Sequence, residues 1–238
     1  WCNGQLVGGW PYGYASWRID LTPYVVPGGV NQLAIRLDNP PDSSRWYPGG
    51  GIYRNVWLTK THPIHVAQWG TFVTTPEVSP GRAVVNLKVT VDNDSKQTAN
   101  VRVTTEIFAL DAAGQPAGKA VAQLSPVKLE MAAGGSAVAE VRAVITNPRF
   151  WGPPPTQQPH RYVAVTTVAG DGRSEGVCDR YATPFGVRAV RWDPEAGILV
   201  NGERIRIQGV NQHHDLGALG AAWNHRAAQR QLELLREL

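Results

Sequence analysis

Cysteine is scarce in this chain. Cys2 and Cys178 are the only two, they lie far apart, and neither belongs to a Cys-x-x-Cys pair, which argues against a disulfide framework or a structural zinc site. No apolar run approaches the ~18 residues a membrane helix needs, so no spanning segment is expected. Blocks of like charge are missing too. The formal net charge of +4 comes from scattered arginines, and without a basic patch a nucleic-acid face is not expected despite the basic pI. An initiating Met is also absent. The chain opens on Trp1 in mid-pattern and stops inside a helical pattern at Leu238, so both ends read as cuts, and a cytoplasmic and a periplasmic location stay equally open.

What is present is ordinary globular material with room for a core: 238 residues, 42% hydrophobic and 18% charged. Nine tryptophans stand out. A flat apolar ring with one N–H donor suits the C–H faces of pyranose rings, although tryptophan equally serves as core.

Residues 1 to about 61 read as strands and turns. Asn3-Gly4 is a hairpin signal, Ala15 to Leu21 and Asn31 to Leu37 alternate, and Ile52 to Thr59 reads as a further strand. Between the last two lies a Pro/Gly-rich loop from Asp38 to Gly51. From about 62 to 184 seven alternating segments follow: His65 to Thr74, Arg82 to Val91, Ala99 to Leu110, Lys119 to Glu130, Ser136 to Thr146, Arg161 to Val168, and Gly176 to Ala182. Gly, Asp, Asn or Pro separates them, the pattern of an immunoglobulin-like sandwich of ~100 residues without its Cys pair. Pro153 to Pro159 follows Trp151, which is expected to act as a buried structural lid.

Chemistry begins at residues 199–216. Asn201-Gly202 supplies the two positive-φ positions of a type I′ turn, and Leu199 and Val200 are expected to pair back against Ile205 and Ile207. Alternation stops after Gly209, and Asn211, His213, His214 and Asp215 arrive together. A helical pattern follows, capped by Asn224, with Ala227, Ala228, Gln231, Leu232, Leu234, Leu235 and Leu238 placing leucines mainly on one face. A strand, a polar loop and a helix in that order are what an α/β barrel uses at its C-terminal face. On spacing alone the cluster reads as a sugar or anion pocket, a metal site or a plain solvated loop. Adjacent histidines on extended backbone point to opposite sides, so the triplet is a weak metal signal.

The run Gly209-Val210-Asn211-Gln212-His213-His214-Asp215 resembles the start of the catalytic barrel in glycoside hydrolase family 2, which includes β-galactosidases, β-glucuronidases and β-mannosidases. The family's remaining motifs have counterparts in family order: Trp1 to Gly4, Asp20 to Thr22, Asn31 to Asn39, Gly51 to Leu58, and Phe185-Gly186-Val187-Arg188. The resemblance implies a mainly β chain. Residues 1–61 would be the C-terminal half of a sugar-binding jelly roll, 62–184 the immunoglobulin-like sandwich and 185–238 the start of a TIM barrel. Two sheets of a jelly roll bury each other, so the first half is expected to precede Trp1.

In that family the first histidine lines the subsite for the terminal sugar, a role carried over to His213, with Asn211, His214 and Asp215 beside it. The loop holding Ser44, Arg45 and Trp46 resembles the one that closes the same subsite. Some members carry Asp just ahead of this tryptophan, where Ser44 and Arg45 stand here. The alternative is that Trp46 and Tyr47 cap the sandwich core and Arg45 is a surface charge.

Retaining hydrolysis needs two carboxyl groups ~5 to 5.5 Å apart. The family sets both on later barrel strands, and Glu195, Glu203, Glu233 and Glu237 sit in no such context. Both catalytic carboxylates are therefore expected beyond residue 238, with this chain alone inactive. The expected partner is a terminal β-galactoside, with β-glucuronide, β-mannoside or a non-catalytic carbohydrate-binding role as alternatives. Mg²⁺ or Na⁺ and homo-oligomerisation stay open for the intact protein, and no metal ligand is identified in these residues.

Overall fold

The computed structural model describes residues 1–41, 51–52, 54–170, 176–207, 209–212, 216–220 and 222–237. It divides into two compact units, Leu58–Val210 and a second comprising Trp1–Trp57 with Asn211–Leu238.

Seven long strands form the first unit: β1 (Ile64–Ser79), β2 (Arg82–Asn93), β3 (Ala99–Leu110), β4 (Pro116–Met131), β5 (Ser136–Thr146), β6 (Tyr162–Gly170) and β7 (Val177–Phe185). They build two antiparallel sheets, ordered β1-β2-β5 and β4-β3-β6-β7. Alternation drives this layout, since a strand sends successive side chains to opposite faces. On β2, Ala83, Val85, Leu87, Val89 and Val91 are buried, while Asn86 and Lys88 between them are exposed. These side chains join Val101, Val103 and Ile107 of β3 and Ala164 and Val168 of β6 in one core cluster drawn from both sheets. Each aliphatic side chain so buried contributes roughly 1.5–3 kcal/mol.

Three details show how chemistry shapes the sheets. The ladder of β1 shifts register between Val66 and Thr71, where Trp69 takes φ 53°. A Cβ on the neighbouring Gly70 would sit 2.7 Å from the Ala67 carbonyl oxygen and 2.8 Å from that of Thr90, so only glycine fits the bulge. Thr105 and Thr166 pair their buried hydroxyls at 2.9 Å across β3 and β6, satisfying two polar groups that burial would otherwise penalise. Between the two sheets, Asp179 on β7 accepts a hydrogen bond at 2.8 Å from the Val66 N–H of β1.

A smaller antiparallel sheet ends this unit: β8 (Val190–Asp193), β9 (Gly197–Val200) and β10 (Glu203–Arg204), ordered β10-β9-β8. Asn201 and Gly202 take φ 55° and 83° in the turn, as a type I′ hairpin requires. The register corrects the expected pairing. Val200 lies opposite Glu203 and Leu199 opposite Arg204, and the Ile205 N–H donates to the Ile198 carbonyl at 2.8 Å. A two-residue turn forces its flanking residues to face each other, which puts Ile205 beside Ile198 and leaves Ile207 past the ladder, 72% exposed.

In the second unit the alternating stretches of residues 1–57 do not become ladders among the described residues. Their pairing there consists of isolated bridges from Cys2 to Gln5 and to Leu33. Leu33, Ile35 and Leu37 are exposed. Alternation marks a face suited to burial, but a ladder also needs a neighbouring strand to take its hydrogen bonds. What holds this segment is a pair of asparagines. Asn3 donates to the Tyr24 carbonyl at 2.9 Å and to Asn31 Oδ1 at 2.8 Å, and Asn31 Oδ1 accepts from the Val26 N–H at 2.7 Å. The Asp20 carboxylate accepts from Thr22, which holds its pKa below the ordinary carboxylate value.

The C-terminal part holds a 3₁₀ turn, Gly217–Leu219, and helix α1, His225–Glu237. Asn224 is its N-cap, with Oδ1 accepting from the Ala227 N–H at 2.9 Å. Ala227, Ala228, Gln231 and Leu235 form the half-buried stripe, whereas Leu232 and Leu234 are exposed. Leu232 and Leu234 flank that stripe on either side, so the described leucines lie on one amphipathic face, as their spacing implies.

Candidate functional site

The sheet β8–β10 delivers the chain to the polar run, so its construction comes first. The turn between β8 and β9 is built on Asp193, whose Oδ1 accepts from the N–H groups of Glu195 at 3.0 Å and Ala196 at 2.9 Å. These two backbone donors, Ala196 first, hold the Asp193 carboxyl below its ordinary pKa, with a smaller contribution from the Arg191 guanidinium. A carboxylate with a depressed folded-state pKa stabilises the fold above its unfolded value of ~3.9 and loses that contribution as pH falls through the folded value. Asp193→Asn should therefore lower the melting temperature at pH 7 and converge with the parent chain in acid below that range. Equal melting temperatures at pH 7 would show that the carboxylate does not stabilise this turn.

The opposite turn carries more contacts. The Asn201 Nδ2 group donates to the Trp151 carbonyl at 2.9 Å and to Gln157 Oε1 at 2.8 Å. Gln157 in turn donates to the Val200 carbonyl at 2.9 Å. Arg188 lies over the Trp151 ring at 4.8 Å from its centroid. Trp151 is only half-buried, so it is a bracket between loops and not the buried lid expected from sequence. Turn chemistry alone accounts for Asn201-Gly202 in the sequence, and no residual signal pointed to a second task for this side chain.

Of the candidate sugar-contacting residues, Asn211 is described and exposed. Ser44, Arg45, Trp46, His213, His214 and Asp215 lie outside the described residues. The four glutamates weighed as catalytic groups have structural surroundings. Glu195 sits in the Asp193 turn and Glu203 begins β10. Glu233 pairs with Arg226 at 3.1 Å and accepts from Gln229 at 2.8 Å, and Glu237 ends α1. Among the described residues no cluster of three or more His, Cys, Asp or Glu side chains could hold a metal ion, and no helix is long and apolar enough to cross a membrane.

A seven-stranded sandwich followed by a clamped hairpin sheet and a capped helix defines a mainly β chain with several structural parts. Residues 64–188 match the model of glycosyl hydrolases family 2. The chain is 43% identical to the β-galactosidase BoGH2A of Bacteroides ovatus over 99% of its own length and 26% of that protein's. It is 32% identical to a putative β-glucuronidase of Formosa agariphila, covering 100% of this chain and 21% of that one. Among solved structures, a family 2 member from Bacteroides cellulosilyticus superposes with a TM-score of 0.84 at 30% identity, over 100% of this chain and 31% of that one. A Bacteroides uniformis β-glucuronidase gives 0.82 at 26%, over 100% and 28%. The chain belongs to glycosyl hydrolases family 2, and it spans about a quarter of the length of the curated relatives it matches.

Proposed function

We propose that this chain is the part of a retaining exo-β-galactosidase that supplies one side of the terminal-sugar subsite, with both catalytic carboxylates lying elsewhere in the enzyme. The observation that carries this reading is the 43% identity to a protein named a β-galactosidase, sustained over 99% of the chain. Residues 1–61 are then the second half of a jelly roll, 62–184 an immunoglobulin-like spacer and 185–238 the opening of a TIM barrel. The order of β8–β10, 3₁₀ turn and α1 supports the last assignment.

In this reading His213 donates to a hydroxyl of the terminal sugar and so holds the ring in place as the transition state forms. Asn211 or His214 supports it, and Asp215 accepts from a hydroxyl or orients His214. Arg45 hydrogen-bonds vicinal hydroxyls while Trp46 packs beside the ring and Ser44 adds a polar contact. A β-glucuronide is the second reading, favoured by the names of the Formosa agariphila relative and the Bacteroides uniformis structure.

The test is to assay the full-length enzyme that contains this chain on p-nitrophenyl β-galactoside, β-glucuronide and β-mannoside. The galactoside should be preferred in kcat/KM by about a hundred-fold or more, the discrimination expected of a site that hydrogen-bonds its own hydroxyl pattern. The product should keep the β-anomeric configuration, and the 238-residue chain alone should hydrolyse none of the three. Preference for the glucuronide would transfer the assignment. Absence of any hydrolysis by the full-length protein would leave a non-catalytic carbohydrate-binding role.

A further inference from the structure

The loop joining β5 to β6 is bonded on both sides. Toward the strand that leaves the sandwich, the Trp151 N–H donates to the Val187 carbonyl at 2.8 Å, and Arg188 covers its ring. Thr75 on β1 donates to the Arg188 carbonyl at 3.3 Å. Toward the β9–β10 turn, Asn201 and Gln157 form a closed set of side-chain bonds to each other and to the backbone at Trp151 and Val200. Asn201 also reaches the linker, its Oδ1 accepting from the Ala189 N–H at 3.0 Å and its own N–H donating to the Ala189 carbonyl at 2.8 Å. One amide side chain thus bonds two segments: the linker at Ala189, and the β5–β6 loop at Trp151 and Gln157.

Two glycines leave room for this packing. A Cβ on Gly152 would fall 2.0 Å from Gln157 Oε1, and one on Gly186 would fall 2.7 Å from Trp151 Cβ. The side-chain bonds fasten the hairpin turn itself to the sandwich loop.

We propose that Asn201, Gln157 and Trp151 are a clasp that locks the β8–β10 sheet onto the sandwich and fixes the direction in which the chain leaves β10, making Asn201 and Gln157 positioning residues for the sugar-contacting residues that follow in sequence. The mechanical half stands on the geometry alone. The positioning half rests on the glycosidase reading given above. A misdirected strand end displaces whatever side chains it carries, and a displacement of ~1 Å can cost about a hundred-fold in rate.

Asn201→Gly is the informative variant, because glycine keeps φ 55° without strain and removes only the side chain. Gln157→Ala removes the other half. In the 238-residue chain, amide hydrogen exchange in either variant should speed up by about ten-fold or more at Val200 and Ile205 while β2 and β3 stay protected. The double variant should be no faster than Asn201→Gly alone, since both changes open one clasp. Unchanged exchange at those amides overturns the clasp.

In the full-length enzyme each variant should lower kcat by at least about ten-fold with KM changed much less, as loss of transition-state positioning requires. Faster exchange with full turnover would overturn the positioning role and leave a structural tie. Were the full-length enzyme to hydrolyse no glycoside at all, the function reading would fail while the exchange result still decided the clasp.

Discussion

Replacing His213 with alanine in the full-length enzyme is expected to lower kcat/KM on its β-galactoside by about 10² to 10³ while leaving the melting temperature within ~2 °C of the parent. The size follows from the role proposed for His213. In the proposed reading a preorganised side chain bonded to a sugar hydroxyl holds the ring in the geometry of the transition state, so its loss is felt there more than in the ground state. The small thermal effect follows from position. In sequence His213 comes after Ile205, whose N–H makes the last ladder bond of the β8–β10 sheet among the described residues. Kinetics and calorimetry on the same preparation check both halves. Turnover equal to that of the parent would take His213 out of the subsite, and a large fall in melting temperature would make it a structural histidine.

The sandwich was legible because its strands obey a single rule. On β2 from Val85 to Val91 every second residue is aliphatic and the residues between, Asn86, Lys88 and Thr90, are polar or charged, a pattern only an extended chain can turn into one apolar face. The observed spans agree with those read from sequence to within a few residues. The strand ends were harder. β4 begins at Pro116, before the expected Lys119, and β1 runs on to Ser79 past Thr74, each through a register shift that alternation does not signal.

Residues 1–57 show the opposite case. Leu33, Ile35 and Leu37 alternate as well as any core strand, yet the described residues offer them no continuous ladder. Periodicity states what a segment could bury, while pairing depends on a second segment. The hairpin at Asn201 is intermediate. Its turn type was legible in the dipeptide, its register followed from loop length, and its clasp was hidden because the partner Gln157 lies 44 positions away in a proline-rich loop. The sugar-contacting candidates were legible only as a family motif. Spacing alone left a pocket, a metal site and a plain loop all open.

Asn93 should give the largest stability loss of any single polar substitution in the sandwich. Its side chain is fully buried at the end of β2, with 0% of its surface exposed. Nδ2 donates to the carbonyls of Gln97 at 2.8 Å and Ala132 at 2.9 Å, and Oδ1 accepts from the Ser95 N–H at 3.1 Å and its hydroxyl at 2.7 Å. One amide therefore ties the β2–β3 turn to the β4–β5 turn, between the two sheets. Asn93→Ala takes one of two donors from each carbonyl, because Gln97 O keeps the Ser95 hydroxyl at 3.0 Å and Ala132 O keeps the Gly135 N–H at 3.1 Å. Each bond so lost costs about 0.5–1.5 kcal/mol, and the Ser95 N–H, left without its acceptor, costs about 1–3 kcal/mol. Water entering beside the exposed Ser95 turn recovers part of this, so a net loss of roughly 2–4 kcal/mol is expected. With about 2–4 °C per kcal/mol for a unit of this size, the melting temperature should fall by at least ~5 °C. Asn93→Asp should fare no better, because a carboxylate keeps the acceptor toward Ser95 but turns a negative oxygen against two carbonyls in a site without solvent. A Ser95→Ala control removes one hydroxyl at an exposed edge and should cost less than half as much. If Asn93→Ala melted within ~1 °C of the parent chain, the two turns would have to be held by backbone bonds such as Asn93 N–H to the Gly135 carbonyl at 2.8 Å, and the amide would be a passenger.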